Sequence, residues 1–436
     1  MKGYLLVYSV VIIGSVVALR KPVLGLFLYI ALSLLRPDAF WGWAGDLRGM
    51  SDLVAYPLLV GWAFQGFGSW SFGRGWATVL CLLLYTGWMF ASTVQAIDPT
   101  SSWWTLVEFV KTLLPFLVGV TMIKTEKQAR QLLWTIVVTQ TYVCYEMNRS
   151  YLEGYNRVYF EGFGGMDNNS FAISLVGTVG AALGLFLSAK TWRVKVFSGL
   201  SMLLIMHTVL LTFSRGAFVG LLAVALMALV ILPKRPKYVG AVVLSILIGS
   251  YFTGPELAAR YSTTFANSEM RDESSESRFT LWGDMLSVTL EEPIFGIGPH
   301  NWPLVAENFG WAAGKEGHSL WVQTAAEMGL PGVSFLVLFY GITVARLWPI
   351  ARRRRPDLDI PTAMFATGLI LAIVGFVVSA QFVSLRGLEL PFYVTMIGVL
   401  LLKFRPAPAP APGTIVVAPR PPVAPVRPRP PLVGSS

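Results

Sequence analysis

Residues 317–348 read G-H-S-L-W-V-Q-T-A-A-E-M-G-L-P-G-V-S-F-L-V-L-F-Y-G-I-T-V-A-R-L-W. From Pro331 to Trp348 the only charged residue is Arg346. An apolar helix of that length measures about 27 Å, close to the hydrocarbon thickness of a bilayer. Just before it, Ser319 can cap a short helix whose first residues are Leu320 and Trp321, and Gly329 followed by Pro331 ends that helix. The stretch thus predicts a membrane span with a short capped helix at its mouth.

The same apolar pattern recurs along the chain. Spans are expected at 3–19, 22–35, 51–67, 76–93, 107–123, 131–147, 169–189, 194–212, 216–232, 238–252, 331–348, 361–383 and 388–404. The second is short enough to be a tilted or re-entrant piece, so about 12–13 transmembrane helices are expected. Composition agrees: 54% of the 436 residues are hydrophobic and 13% charged, where a soluble protein carries about a quarter charged residues. The expected fold class is an all-α polytopic membrane protein. The apolar run after Met1-Lys2-Gly3 lacks a small-residue cleavage site and is followed by Arg20-Lys21, so it reads as a retained first helix. Cys81 and Cys144 both fall within expected spans, which excludes a disulfide framework and a cysteine-based zinc site.

The formal charge is +10, and its distribution argues against nucleic acid. One alternating set of loops, with the adjoining span ends and the C-terminal tail, holds 22 of the 34 Lys and Arg residues. That excess marks this set as cytoplasmic, which puts the N-terminus outside and the C-terminus inside. The chain divides into N-terminal transmembrane helices (1–147), central transmembrane helices (148–252), a large external loop with helices (253–330), C-terminal transmembrane helices (331–404) and a Pro-rich cytoplasmic tail (405–436). The tail's composition cannot bury a core. In the large loop, Ser277 to Leu290 reads as an amphipathic helix with Phe279, Trp282, Met285 and Leu286 along one side. Gly296-Ile297-Gly298-Pro299 reads as a turn.

Chemistry-bearing residues cluster on the external side. His318, one of three histidines, sits beside a helix N-terminus, whose dipole disfavours imidazolium and leaves a ring able to accept a proton. It also suits a capping or packing role. Arg215, in S-R-G, either snorkels to the interface or joins helix-terminal amides in an anion site, with Gly216 letting backbone approach the anion. Arg278 opens the amphipathic loop helix. It either pairs locally with Asp272, Glu273 or Glu276 or, with Arg215, grips a diphosphate bidentately. Asp167 or Asn169 can cap the following helix, and the Asn168-Asn169 amides can also contact sugar hydroxyls. His300 lies in a Gly-Pro turn and reads as structural, and His207 as a core residue. Asp272, Glu273 and Glu276 leave a hard-cation site as a minor alternative.

The many-span pattern, the late external loop, Ser214-Arg215-Gly216, Arg278, and His318 followed by Glu327, Gly329 and Gly332 resemble the bacterial O-antigen ligase and O-antigen polymerase superfamily, over roughly residues 165–345. The N-terminal spans resemble a subgroup of O-glycosylation ligases associated with exosortase systems. The resemblance implies an all-helical C-type glycosyltransferase fold in the bacterial inner membrane, with its active site facing the periplasm. It implies inverting transfer of a glycan from a polyprenyl diphosphate carrier to a lipid or protein acceptor, with no metal or cofactor. On that match Arg215 and Arg278 bind the donor diphosphate and His318 is the catalytic base. Asn168, Asn169 and Glu327 carry over as motif or substrate-binding residues. A glycan polymerase of the same superfamily differs only in acceptor. A lipid or polysaccharide transporter, the reading from a different class, would place charges at the bilayer midplane, where Glu108, Lys111 and Glu146 are the main candidates.

Overall fold

The computed structural model describes residues 2–41, 47, 49–233, 236, 240, 273–352, 359–384 and 388–405. The expected span at 238–252, the acidic side chains of Asp272, Glu273 and Glu276, and the Pro-rich tail lie outside the described residues. The helices are α1 (Lys2–Arg20), α2 (Pro22–Leu35), α3 (Pro37–Trp41), α4 (Met50–Phe64), α5 (Trp76–Val94), α6 (Pro99–Met122), α7 (Glu126–Leu152) and α8 (Arg157–Phe160). They continue with α9 (Asn168–Ser188), α10 (Trp192–Leu211), α11 (Arg215–Ile231), α12 (Glu273–Glu291), α13 (Trp302–Val305), α14 (Leu320–Ala351), α15 (Ile360–Ser379) and α16 (Leu390–Phe404). Among the described residues six helices are long and apolar enough to cross a membrane: α5, counted with the 3₁₀ turn before it, α6, α9, α10, α14, and α15, counted with the 3₁₀ turn after it. Five shorter apolar helices accompany them. The protein is an all-α polytopic membrane protein.

Every expected span within the described residues falls on a helix. One, 131–147, belongs to a helix too polar to count among the apolar ones: α7 carries Gln131, Gln140, Thr141 and Glu146. It also runs to Leu152, several residues into what reads as a loop.

The bundle is built around α15, which packs on α9, α11, α14 and α16. Small residues make the tightest contact possible. A Cβ on Gly184 would lie 2.5 Å from the Gly368 Cα, and one on Gly180 would lie 2.4 Å from the Ala372 amide nitrogen. In a membrane, where lipid offers hydrocarbon as freely as leucine does, such close backbone approach is what holds helices together. The contacts run Gly180 to Ala372 and Gly184 to Gly368, so α9 and α15 are antiparallel. Gly216 against Phe382 and Gly220 against Ser379 make α11 antiparallel to α15 as well. Trp321 Nε1 donates to the Val377 carbonyl (3.1 Å), and the His318 amide donates to Ser384 Oγ (2.8 Å), so the start of α14 runs the same way.

This arrangement decides where the site forms. Three helix amino ends, those of α9, α11 and α14, surround the carboxyl end of α15. Each is capped by the side chain of the residue just before it. Asp167 accepts from the Ser170 amide, Ser214 from the Ala217 amide and Ser319 from the Val322 amide. Partial positive charge from three peptide dipoles therefore gathers at one end of the bundle.

α14 does not stop at Gly329. The backbone breaks there with φ 66° and ψ −177°, and the helix resumes at once. The break admits another segment: the Leu330 amide donates to the Pro293 carbonyl (2.8 Å). A Cβ at Gly329 would meet the Ile294 carbonyl at 2.1 Å, so only glycine fits. The buried face of α12 is rotated from the expected one. Leu281, Met285 and Val288 are buried with Trp302 and Ile297, while Phe279 and Leu286 are exposed. The i, i+4, i+7 row that meets the 297–306 segment wins over the row richest in large apolar groups.

Candidate functional site

The loop entering α14 is held by a hydrogen-bond frame that positions His318. Trp282 Nε1 donates to the Gly317 carbonyl (2.9 Å), and the Gly317 amide donates to Gln323 Oε1 (3.2 Å). Gln323 Nε2 donates to Glu327 Oε1 (2.9 Å) and Glu316 Oε2 (3.3 Å). Glu327, which is buried, also accepts from the Trp302 amide (3.3 Å). These bonds place the Glu327 carboxylate inside the frame, where it ties loop to helix. Its backbone does the same work: the Gly298 amide donates to the Glu327 carbonyl (2.9 Å), which also accepts from Ser92 Oγ (3.1 Å).

His318 takes a left-handed backbone conformation, φ 50°. Phe213, just before the cap of α11, does so too at φ 56°. A bulky residue in this region is strained by about 1–3 kcal/mol and persists only where its surroundings fix it. Both lie one residue before a cap serine, at the mouth of a helix that leads into the site.

The three residues singled out for chemistry, 215, 278 and 318, come together although they lie far apart in the chain: at the start of α11, in the second turn of α12 and just before α14. The Arg215 guanidinium acts electrostatically on Arg278, and Arg278 acts on His318. Asp167 acts on both Arg278 and His318 with the opposite sign. Burial and the neighbouring Arg215 hold Arg278 below the usual guanidinium range. Burial first, then Arg278 and Lys315, lower His318 from 6.5 to about 4. The ring is therefore neutral at ordinary pH, in a region whose named charges are three cations and one carboxylate. Burial also pushes the Glu316 carboxyl up.

Asn168 and Asn169 begin α9 at the same place. Asn168 Nδ2 donates to the Thr212 carbonyl (2.9 Å), which fixes the turn from Thr212 to Arg215. Asn169 Nδ2 donates to Asp167 Oδ2 (3.3 Å) and Asn168 Oδ1 (3.1 Å). Gly216 also has a packing role. A Cβ there would lie 2.6 Å from the Phe382 Cβ, so the glycine lets α11 close on the turn after α15.

Residues 199–337 match the family model described as O-Antigen ligase. That region is similar to the O-antigen ligase family. The matched region holds Arg215, Arg278, His318 and Glu327, and leaves Asp167 to Asn169 outside it. The similarity supports membrane glycan chemistry of the ligase or polymerase kind. No curated protein matches the chain. Among the described residues no three of His, Cys, Asp and Glu gather as metal ligands.

Two contributors escaped sequence reasoning. Ser384 accepts from the His318 amide and bonds Glu316. Nothing local distinguishes it from other serines at helix ends. Lys315, three residues from His318, adds to the push on the ring.

Proposed function

We propose that this protein transfers an oligo- or polysaccharide from a polyprenyl diphosphate carrier to an acceptor hydroxyl, with inversion, at the periplasmic face of the bacterial inner membrane. The observation that carries this reading is the convergence of Arg215, Arg278 and His318 among three helix amino ends. Two guanidinium groups and oriented amides suit the non-bridging oxygens of a diphosphate. The neutral imidazole beside them suits proton removal.

In the proposed reaction the acceptor O–H gives its proton to a His318 ring nitrogen as its oxygen attacks the anomeric carbon. The bond from that carbon to the diphosphate oxygen breaks, and its electron pair stays on the diphosphate. Charge growing there is met by Arg215 and Arg278, already in place and partly desolvated, which is where preorganised electrostatics contribute most. Asp167 offsets part of the cationic field and stabilises the imidazolium that forms. Asn168 and Glu327 act as positioning residues, through the Thr212 carbonyl and the Trp302 amide respectively. A transport reading finds little support, since Lys111 and Glu108 on α6 neutralise each other in a 2.8 Å ion pair.

The test is His318→Ala assayed in membranes with lipid-linked donor. Loss of a general base lowers the rate by about 10²–10⁴, with unused donor accumulating. Near-normal transfer by normally expressed protein rejects the assignment. Product mass separates the acceptors: one glycan block on a separate acceptor marks a ligase, lengthening lipid-linked chains a polymerase.

A further inference from the structure

A row of aromatic rings runs from the turn that leads to Arg215 out to the protein surface around α8. The Phe213 ring, two residues before Arg215, packs edge-on against Tyr159 with centroids 5.1 Å apart. Tyr159 meets Phe160 at 5.0 Å. Phe160 in turn meets Tyr155 at 5.7 Å, with the two planes within 14° of parallel. The last two rings are left open: Phe160 is 67% exposed and Tyr155 45%.

Local bonds hold the row in place. Asn156 caps α8 by accepting from the Tyr159 amide (3.3 Å), and its Nδ2 donates to the Leu211 carbonyl (2.9 Å). The next carbonyl, that of Thr212, accepts from Asn168. One asparagine from α8 and one from α9 thus fix the two residues before Phe213. Ser150 Oγ donates to the Tyr155 carbonyl (2.8 Å). Polar groups edge the open rings: the Tyr155 hydroxyl donates to Glu161 Oε1 (3.1 Å), and Arg157 Nε to Glu161 Oε2 (2.9 Å). The Glu161 side chain is itself half exposed.

We propose that Tyr155 and Phe160 form a carbohydrate subsite for donor sugars beyond the one bonded to the diphosphate. This rests on the reaction proposed above and adds a place for the rest of the glycan. A pyranose is apolar on the face where its C–H groups align and polar around its rim. The C–H groups carry partial positive charge, which the negative face of an aromatic ring attracts. Arg157 and Glu161 offer a donor and an acceptor to the rim hydroxyls. A diphosphate at Arg215 sets its first sugar beside the Phe213 turn, and the open rings stand farther along the row, where later sugars pass. Exposed aromatic residues also anchor proteins at the membrane interface. Here Arg149, Glu153, Arg157 and Glu161 put a charge at every fourth residue of the same segment, which favours water around it. Tyr155 to Glu161 lie outside the matched region 199–337, so the subsite is a feature of this chain beyond the matched pattern.

The experiment places photoreactive p-benzoyl-phenylalanine at position 160 of the full-length protein in its own membranes, irradiates, and weighs the adducts. An adduct carrying both glycan and prenyl diphosphate is expected. In a transfer assay with lipid-linked glycan extracted from the same membranes, Phe160→Leu raises donor KM about tenfold, because leucine keeps the apolar surface and loses the π face. Phe160→Trp keeps a ring and holds KM within about twofold of wild type. A phospholipid adduct makes the rings a membrane anchor, a peptide adduct a protein interface, and glycan on any other lipid an acceptor site. Each overturns the proposal, as do the absence of any adduct and an unchanged KM in Phe160→Leu. The same crosslink in His318→Ala separates the two readings. A glycan adduct with full transfer activity removes the base but keeps the subsite, and silent transfer without a glycan adduct does the reverse.

Discussion

The position of His318 predicts an acid limb far lower than a histidine base normally gives. Held near 4, the ring is about 0.1% protonated at pH 7, where an ordinary histidine near 6.5 is protonated at about a quarter of sites. At pH 5 the contrast decides the matter: about nine-tenths of His318 remains in the base form, against about 3% of an unperturbed ring. The base form grows with pH, so transfer rises through the pKa and is lost below it. The assay is initial transfer rate from lipid-linked donor at low acceptor concentration, from pH 3.5 to 8, since kcat/KM reports groups in the free enzyme. Wild-type protein should keep most of its activity at pH 5. Arg278→Gln removes the second-largest cause of the depression and leaves burial, the first. Its acid limb should therefore move upward and stop short of 6.5. Arg278→Lys keeps the charge and should leave the limb in place while weakening donor use, because an ammonium lacks the bidentate fork. The height of the profile will fall in both variants, so its position on the pH axis is the measurement. An acid limb near 6.5 in wild type, or one unmoved in Arg278→Gln, refutes the electrostatic argument.

Two further outcomes follow from the frame around the site. Glu327→Ala strips Gln323 Nε2 and the Trp302 amide of a buried acceptor, and thermal unfolding in detergent should show a loss of about 1–3 kcal/mol; an unchanged midpoint means the carboxylate is not structural. Gly216→Ala drives a methyl group into Phe382, which should cost about 1–3 kcal/mol and displace Arg215, lowering donor affinity more than stability accounts for.

The helices were legible because a membrane imposes a length and a polarity that any single chain reveals. Their beginnings were legible because Asp167, Ser214 and Ser319 cap locally, by bonds that span two or three residues. What could not be read is which helices meet. Phe279 and Leu286 suit a buried face as well as Leu281 and Val288 do, and only the 297–306 segment settles the choice. Gly216 looks the same whether it faces an anion or Phe382. His300 sits in a turn that reads as structural, and the sequence holds no sign that its Nδ1 lies buried without a partner.

The convergence itself has a simpler cause than the dispersal of its residues suggests. α9, α11 and the first part of α14 all run antiparallel to α15, so their amino ends must gather where α15 finishes. Glycine at 180, 184, 216 and 220 brings α9 and α11 close enough for those ends to share one electrostatic field. Asp167 is the residue before its helix, Arg215 the first of its helix and His318 the second before its own, which is where such packing puts them together. Arg278 alone comes from outside the bundle. It is carried in by α12, whose Leu281, Met285 and Val288 bury against the 297–306 segment, which follows directly on the Pro293–Ile294 stretch that enters the break at Gly329. The cationic site and the break in α14 are thus two results of one packing arrangement, and a change at either should be felt at the other.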